Sequence, residues 1–323
     1  MSREAFRAKV ERVEALAALD DAAMSVGLGK ALRDRSNYVV AKAAAVAARR
    51  YVTAVTPDLL AAYDRLFAAE SDPLVLGKQA IANALKDLDY REPAPFIRGL
   101  QHVQLEPVWG GSEDHAGLLR STCAHALVAC DIDGVLRLHL LADHLVDDDR
   151  TVRREVARAI ANVGGHEAVL LLRLKALAGD SDAEVVGQCF SALIELDPRE
   201  SVSFVERFLR SKDSDIVIEA VSALAGSREP QGFEAVCRLW ETAISADLRR
   251  AIIFSCAASP LPPASEFLLS LVADYDRTVA VWALSALADS RFRNDVRERA
   301  GVAVQVRGDA QVRKAYVDAF ESN

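Results

Sequence analysis

The stretch Asp149-Arg150-Thr151-Val152-Arg153-Arg154-Glu155-Val156-Ala157-Arg158-Ala159-Ile160 decides the fold. Counted back from Ile160, apolar residues stand at offsets 1, 3, 4 and 8, while Arg154, Glu155 and Arg158 fill the other positions. Those offsets lie on one stripe of an α-helix and on no face of a β-strand. Eleven residues before Ile160 stands Asp149, a residue type whose side chain satisfies the free N–H groups at a helix start.

The same register recurs along the chain. Taking Ile160 as one anchor, the others are Leu85, Leu127, Leu193, Leu224, Cys256, Leu287 and Phe320. From Leu127 onward they are 33, 33, 31, 32, 31 and 33 residues apart. Before the anchors stand Ala84, Ala126, Ala159, Ala192, Ala223, Ser255, Ala286 and Ala319; eight residues before stand Leu119, Val152, Val185, Ile216, Leu248, Val279 and Val312. The capping column reads Asp149, Asp182, Asp213, Ser245, Asp276 and Asp309. Shorter apolar helices are expected between these segments, at 56–69, 134–145, 166–178, 201–210, 232–243, 264–273 and 292–304, with breakers such as Gly164-Gly165, Asp197-Pro198 and Glu229-Pro230 separating the pairs. A repeat of this length, each unit a helical pair, predicts an all-α solenoid of about nine pairs forming one domain over residues 1–323.

Segments such as Asp149–Ala157 and Asp309-Ala310-Gln311-Val312-Arg313-Lys314-Ala315 closely resemble the HEAT-repeat signature: an Asp, a Val-Arg pair, then spaced alanines. They also resemble the bacterial HEAT-like repeats of phycobilin lyases. The resemblance implies a curved superhelix with the second helices lining its concave face, and proteins that serve mostly as interaction scaffolds. HEAT-type deoxyhypusine hydroxylases carry four His-Glu pairs for two irons; this chain has one, His166-Glu167, so that activity is not expected. The basic groove, aromatic residues and carboxylate of a HEAT-like DNA glycosylase cannot be placed either.

Composition narrows the function further. The chain has 323 residues, 51% of them hydrophobic but only 6% aromatic, which suits close helix packing. A net charge of −8 disfavours general nucleic-acid binding, which needs clustered Lys and Arg on phosphates. No apolar run approaches a membrane span, and the charged stretch Met1–Arg7 is unlike a signal peptide, so a cytoplasmic location is expected. The five cysteines are scattered without Cys-x-x-Cys spacing and are expected to be packing thiols.

Three features remain as candidate sites. Lys78, Arg120, Arg153, Arg249 and Arg313 each follow the column eight before the anchor, a partial basic row that Val186, Val217 and Ala280 interrupt. It is expected to pair with capping carboxylates of neighbouring repeats, an anion-binding ladder being the alternative. A second row, two before the anchor, runs through His125, Arg158 and Phe254; the free positions of the later helices also carry Trp282. The third feature is the break in period. Leu85 and Leu127 are 42 residues apart, and the surplus falls at about 91–115, centred on His102-Val103-Gln104-Leu105-Glu106-Pro107-Val108-Trp109-Gly110-Gly111-Ser112-Glu113-Asp114-His115. A long irregular segment in a regular array marks a functional insertion. Val103, Leu105, Val108 and Trp109 are expected to pack it down, and Pro107 to hold Glu106 extended. All six histidines lie between 102 and 166, but no His-Glu-x-x-His motif or ligand spacing appears, so no metal, cofactor or catalytic residue is assigned. The candidate binding residues are His102, Gln104, Glu106, Trp109, Asp114, Arg120, His125, Arg153 and Arg158. The expected function is a non-enzymatic scaffold that binds a protein or peptide through the concave groove and the 101–115 insertion, with a lyase or metal-assisted enzyme at the His and carboxylate cluster and a nucleic-acid binder using the Arg row as the competing classes.

Overall fold

The computed structural model describes residues 3–68 and 72–321. Met1 and Ser2 of the charged N-terminal stretch, and residue 69 at the end of the first expected helix, lie outside the described residues. The fold is all-α with a single small hairpin among those residues, and its contacts divide it into two compact units, Met1–Val163 and Gly164–Asn323.

The first unit opens with α1 (Arg3–Ala15) and continues as four pairs: α2 (Asp21–Leu32) with α3 (Asn37–Arg49), α4 (Thr56–Ala68) with α5 (Leu76–Asp87), α6 (Ala94–Leu100) with α7 (Gly117–Val128), and α8 (Gly134–Ala142) with α9 (Arg150–Val163). Strands β1 (Leu105–Val108) and β2 (Gly111–Asp114) lie between α6 and α7. The second unit holds five pairs: α10 (Gly165–Ala178) with α11 (Ala183–Leu196), α12 (Pro198–Glu206) with α13 (Ser214–Gly226), α14 (Pro230–Thr242) with α15 (Ala246–Ala258), α16 (Pro262–Asp274) with α17 (Arg277–Asp289), and α18 (Arg293–Arg307) with α19 (Ala310–Phe320). Within each unit the second helices stack in series, α3 on α5, α7 and α9 in turn, and α11 on α13, α15, α17 and α19. These are HEAT-type helical pairs, and each unit is an α-solenoid.

The anchor column makes the core. Leu85, Leu127, Ile160, Leu193, Leu224 and Leu287 are fully buried, and Cys256 and Phe320 nearly so. The capping column does what its chemistry predicts. Asp149 accepts from the Thr151 amide, Asp182 from Glu184, Asp213 from Asp215 and Ile216, Ser245 from Leu248, Asp276 from Thr278 and Val279, and Asp309 from Gln311 and Val312. Prolines expected as breakers instead begin helices, as Pro198 and Pro230 do. The first turn needs no N–H from those positions, so proline costs nothing there.

The irregular stretch expected from about residue 91 is smaller than its proline content suggested. Pro93 and Pro95 bracket the start of α6, which is the first helix of its pair, so only the segment from Gln101 to Ala116 departs from the repeat. Prolines at a helix start need no N–H partner, so the chain uses these two to begin a helix.

Replacing Leu193, which is fully buried, with alanine is expected to lower stability by about 2–5 kcal/mol, as large-to-small changes in a packed interior do. Denaturant unfolding measures this; a loss below about 1 kcal/mol would contradict the column assignment.

Candidate functional site

The hairpin pairs Leu105 with Asp114, Glu106 with Glu113, Pro107 with Ser112 and Val108 with Gly111. Trp109 and Gly110 form its turn, and Gly110 has φ +92°, a conformation that an L side chain adopts only with strain. Two four-residue strands are marginal by themselves, and this pair has little face to rest on. Val103, Leu105, Val108 and Trp109, expected to pack down, are all exposed; Trp109 is 103% exposed at the tip. The expectation failed because the strands alternate about a two-stranded ribbon that stands away from the helices, leaving no core for either face.

What holds the hairpin is polar and sits at its root. Asp114 accepts through Oδ1 from the amides of Gln104 (2.9 Å) and Ala116 (3.0 Å), and the His115 amide donates to the Gln104 carbonyl at 3.1 Å. The other Asp114 oxygen accepts from Arg120 Nη1 at 2.6 Å. Arg120, on α7 and only 3% exposed, also donates to the His102 carbonyl at 3.0 Å. Its remaining edge forms a two-bonded fork with Asp147, Nε to Oδ2 at 2.8 Å and Nη2 to Oδ1 at 2.9 Å. His144 Nδ1 lies 3.1 Å from Asp147 Oδ2, and the Asp149 amide donates to Oδ1. Burial pushes the Asp147 carboxyl up, but the hydrogen bonds from His144, Arg120 and the Asp149 amide outweigh it and hold the pKa at about 2. Asp114 is likewise held low, its backbone and Arg120 partners outweighing burial.

A second column of oxygen acceptors, absent from the sequence reading, explains this node. Asp114 and Asp147 stand thirteen residues before their anchors, as do Asp72, Asp180 and Ser211. All but Asp72 make the same turn. Asp114 and Asp147 accept from the amide two residues on, as do Asp180 from Asp182 and Ser211 from Asp213. The basic row was expected to reach the capping column of the next repeat. Arg120 instead reaches the thirteen-before carboxylate of its own repeat and of the next. Among the contacts of Arg153, its Nη1 donates to the Asp147 and Asp148 carbonyls. Further along, Arg249 donates to the Ala243 carbonyl and lies over the Trp240 ring. A capping carboxylate does pair with an arginine at Asp309, but the partner, Arg277, comes from a different position.

One rung earlier the hairpin interrupts this ladder. Lys78, on α5 and 3% exposed, does not reach Asp114; its ammonium donates to Gln104 Oε1 at 2.6 Å and lies 3.1 Å from His102 Nε2. Gln104, whose own amide bonds Asp114, therefore stands between the two rungs. Its side-chain nitrogen donates to the Asp72 carbonyl (2.8 Å) and to Glu106 Oε1 (2.6 Å), which fixes which atom faces Lys78. Nε2 of His102 also lies 3.2 Å from the same Gln104 Oε1, so the imidazole edge faces the ammonium and the amide oxygen together. Burial lowers the pKa of both Lys78 and His102, so the imidazole is neutral at pH 7. The Phe67 ring packs against His102, with Lys78 and Arg98 over it.

The backbone beside this node is strained. Leu74 and Val75 have φ of +58° and +56°, costing on the order of 1 kcal/mol each for non-glycine residues. That geometry aims the Leu74 amide at Glu106 Oε1, 2.7 Å away, and lets the buried Asp72 carboxylate cap α5 through the Gly77 and Lys78 amides.

The structure thus gathers six of the nine candidate residues, His102, Gln104, Glu106, Trp109, Asp114 and Arg120, on or under the hairpin, and links Arg153 to them through Asp147. His125 and Arg158 belong to another cluster, on Glu155, with His125 Nε2 2.8 Å and Arg158 Nη1 3.3 Å from its Oε2. The sequence reading missed Asp72, His144 and Asp147 as parts of the site. The Asp-x-Asp spacing of Asp147-Asp148-Asp149 and Asp180-Ser181-Asp182 carried that signal. Two clefts flank the hairpin, of about 500 Å³ against α4 and α5 and about 750 Å³ against the turn before α9. Among the described residues no group of three or more His, Cys, Asp or Glu is arranged to hold a metal ion, and no helix is long and apolar enough to cross a membrane. Cys123, Cys189 and Cys256 are buried; burial pushes the Cys123 and Cys189 thiols to about 12.

No family model matches the chain, and no curated protein matches it. Among solved structures it is similar to the complex of CpcE and CpcF of phycocyanin lyase from Nostoc, at 19% identity over 74% of this chain and 91% of that one, TM-score 0.38. It is similar to an engineered protein at 18% identity over 99% and 95%, TM-score 0.36, and to human deoxyhypusine hydroxylase at 18% identity over 83% and 97%, TM-score 0.33. At these values the likenesses carry no argument about activity.

Arg120→Leu strands the Asp147 carboxylate, itself 8% exposed, and is expected to cost about 3 kcal/mol, the scale for breaking one side of a buried pair. Asp147 has a folded pKa of about 2 against an ordinary value near ~4. Its stabilisation is therefore complete above about pH 4 and lost as pH falls toward about 2. Urea unfolding across that range should show an acid limb that is smaller in the variant. Equal stability of variant and wild type at pH 7 would contradict the node.

Proposed function

We propose that the chain is a non-enzymatic interaction scaffold that binds a protein or peptide partner, with the 101–115 segment as its main contact. The observation that supports this most directly is the fully exposed Trp109 carried on a hairpin whose root is fixed by buried polar groups. An exposed tryptophan on a floppy loop loses much of its binding energy to ordering; one already positioned does not. His102, Glu106 and Asp114 of the segment favour this reading over an enzyme, because the hairpin root already uses them. Gln104 accepts from Lys78, His102 Nε2 lies 3.1 Å from the same ammonium, Glu106 accepts from the Leu74 amide, and Asp114 accepts from Arg120.

The tip is not sufficient by itself. Burying about 200 Å² of tryptophan supplies about 5 kcal/mol at roughly 25 cal/mol per Å², while association costs some 4–15 kcal/mol. Neighbouring surface must add to it. Val108 is exposed beside the tip, and Val103 and Leu105 are exposed near the root. Strand addition to the hairpin edge is disfavoured, since Pro107 offers no N–H and Glu106 and Glu113 place like charges across the ribbon. The contact is made by side chains.

Trp109→Ala removes a side chain with no intramolecular burial, so stability should change by no more than about 0.5 kcal/mol. Affinity for partners recovered by the wild type should fall by about tenfold or more. Quantitative pull-down with wild type and variant checks this; recovery of the same partners at the same yield contradicts the reading.

A further inference from the structure

Resting on the scaffold reading above, we propose that the cleft between the hairpin and the turn before α9 receives a positively charged, apolar-studded peptide segment of the partner. The cleft has a volume of about 750 Å³ and both kinds of surface that such a segment requires. Its apolar part is Val103, Leu105 and Val146, which are 59%, 64% and 76% exposed. Three branched side chains facing solvent in one concavity mark an interaction surface rather than the scattered apolar residues of an ordinary exterior.

Its charge is one-sided. Six carboxylates line it against one guanidinium, that of Arg120. Arg120 is already shared by Asp114 and Asp147, and Asp149 caps α9. Glu113, Asp143 and Asp148 are left, all exposed and none paired with a basic side chain among the described residues. Like charges held together repel, and no basic side chain among the described residues pairs with these three. The complementary charge is therefore external.

The geometry also chooses its form. No group of described residues here is arranged as metal ligands, so a compact divalent ion does not fit. Carboxylates spread along a cleft with aliphatic residues between them match Lys or Arg side chains separated by apolar ones on an extended chain. A nucleic acid, with its phosphates, would be repelled.

The test uses the full-length protein and a fluorescein-labelled eight-residue peptide alternating arginine and leucine, read by anisotropy. Binding is expected at micromolar concentration and should weaken about tenfold from about 0.05 to about 0.5 M salt. Neutralising the three carboxylates together (Glu113→Gln, Asp143→Asn and Asp148→Asn) should weaken it about tenfold or more. Neutralising Glu234, Glu241 and Asp247 of the second unit, exposed residues giving the same change in net charge, should leave it within about twofold. Equal loss in both triple variants, or no binding by the wild type, overturns the cleft assignment and leaves Trp109-dependent partner capture to stand separately. Peptide binding that survives while Trp109→Ala retains every partner supports the cleft and overturns the tip instead.

Discussion

The structure turns on a guanidinium shared by two carboxylates. Arg120 lies almost wholly buried at the base of the hairpin, one edge on Asp147 of the following repeat and the other on Asp114 of its own. A buried arginine is costly unless its donors are met, and here four of the five donors of its fork are met by two side chains and the His102 carbonyl. The same interaction does two jobs. It ties one repeat to the next, and it fixes Asp114, whose other oxygen gathers the two amides at which the hairpin begins and ends.

The insertion exploits a regular feature. In an uninterrupted array the cation seven residues before one anchor would face the carboxylate thirteen before the next, as Arg120 faces Asp147. Between Lys78 and Asp114 the chain inserts Gln104, which bonds both. Gln104 lengthens the rung without leaving a buried charge unmet, and the segment after it is free to leave the helical layers. This explains how ten exposed residues can be held in place with almost no apolar core of their own, and why the price in backbone strain is concentrated at Leu74 and Val75.

Much of this was legible in the sequence. Burial alone fixes the identity of the anchor column, and a helix start needs an oxygen at one position, so Asp149, Asp182, Asp213, Ser245, Asp276 and Asp309 announce six helices directly. The break in period located the hairpin. Its conformation was not legible, because Val103, Leu105, Val108 and Trp109 look like core residues when the chain is read in one dimension. Strand alternation about an unsupported ribbon turns Leu105 and Val108 outward, while Val103 precedes the ribbon and Trp109 stands at its turn. The thirteen-before carboxylates were missed for a related reason. They make no period of apolar residues, and the two-residue spacing of an Asp turn is hidden within loops that composition describes only as polar.

The central claim is that a polar root makes this hairpin a rigid element. Hydrogen exchange of the amides of Gln104, His115 and Ala116 tests it most directly, since those amides donate to Asp114 and to the Gln104 carbonyl. The account predicts protection comparable to that of the Arg120 amide in α7, about a hundredfold or more over an unstructured chain. Exchange of all three at unprotected rates while α7 remains protected would contradict it.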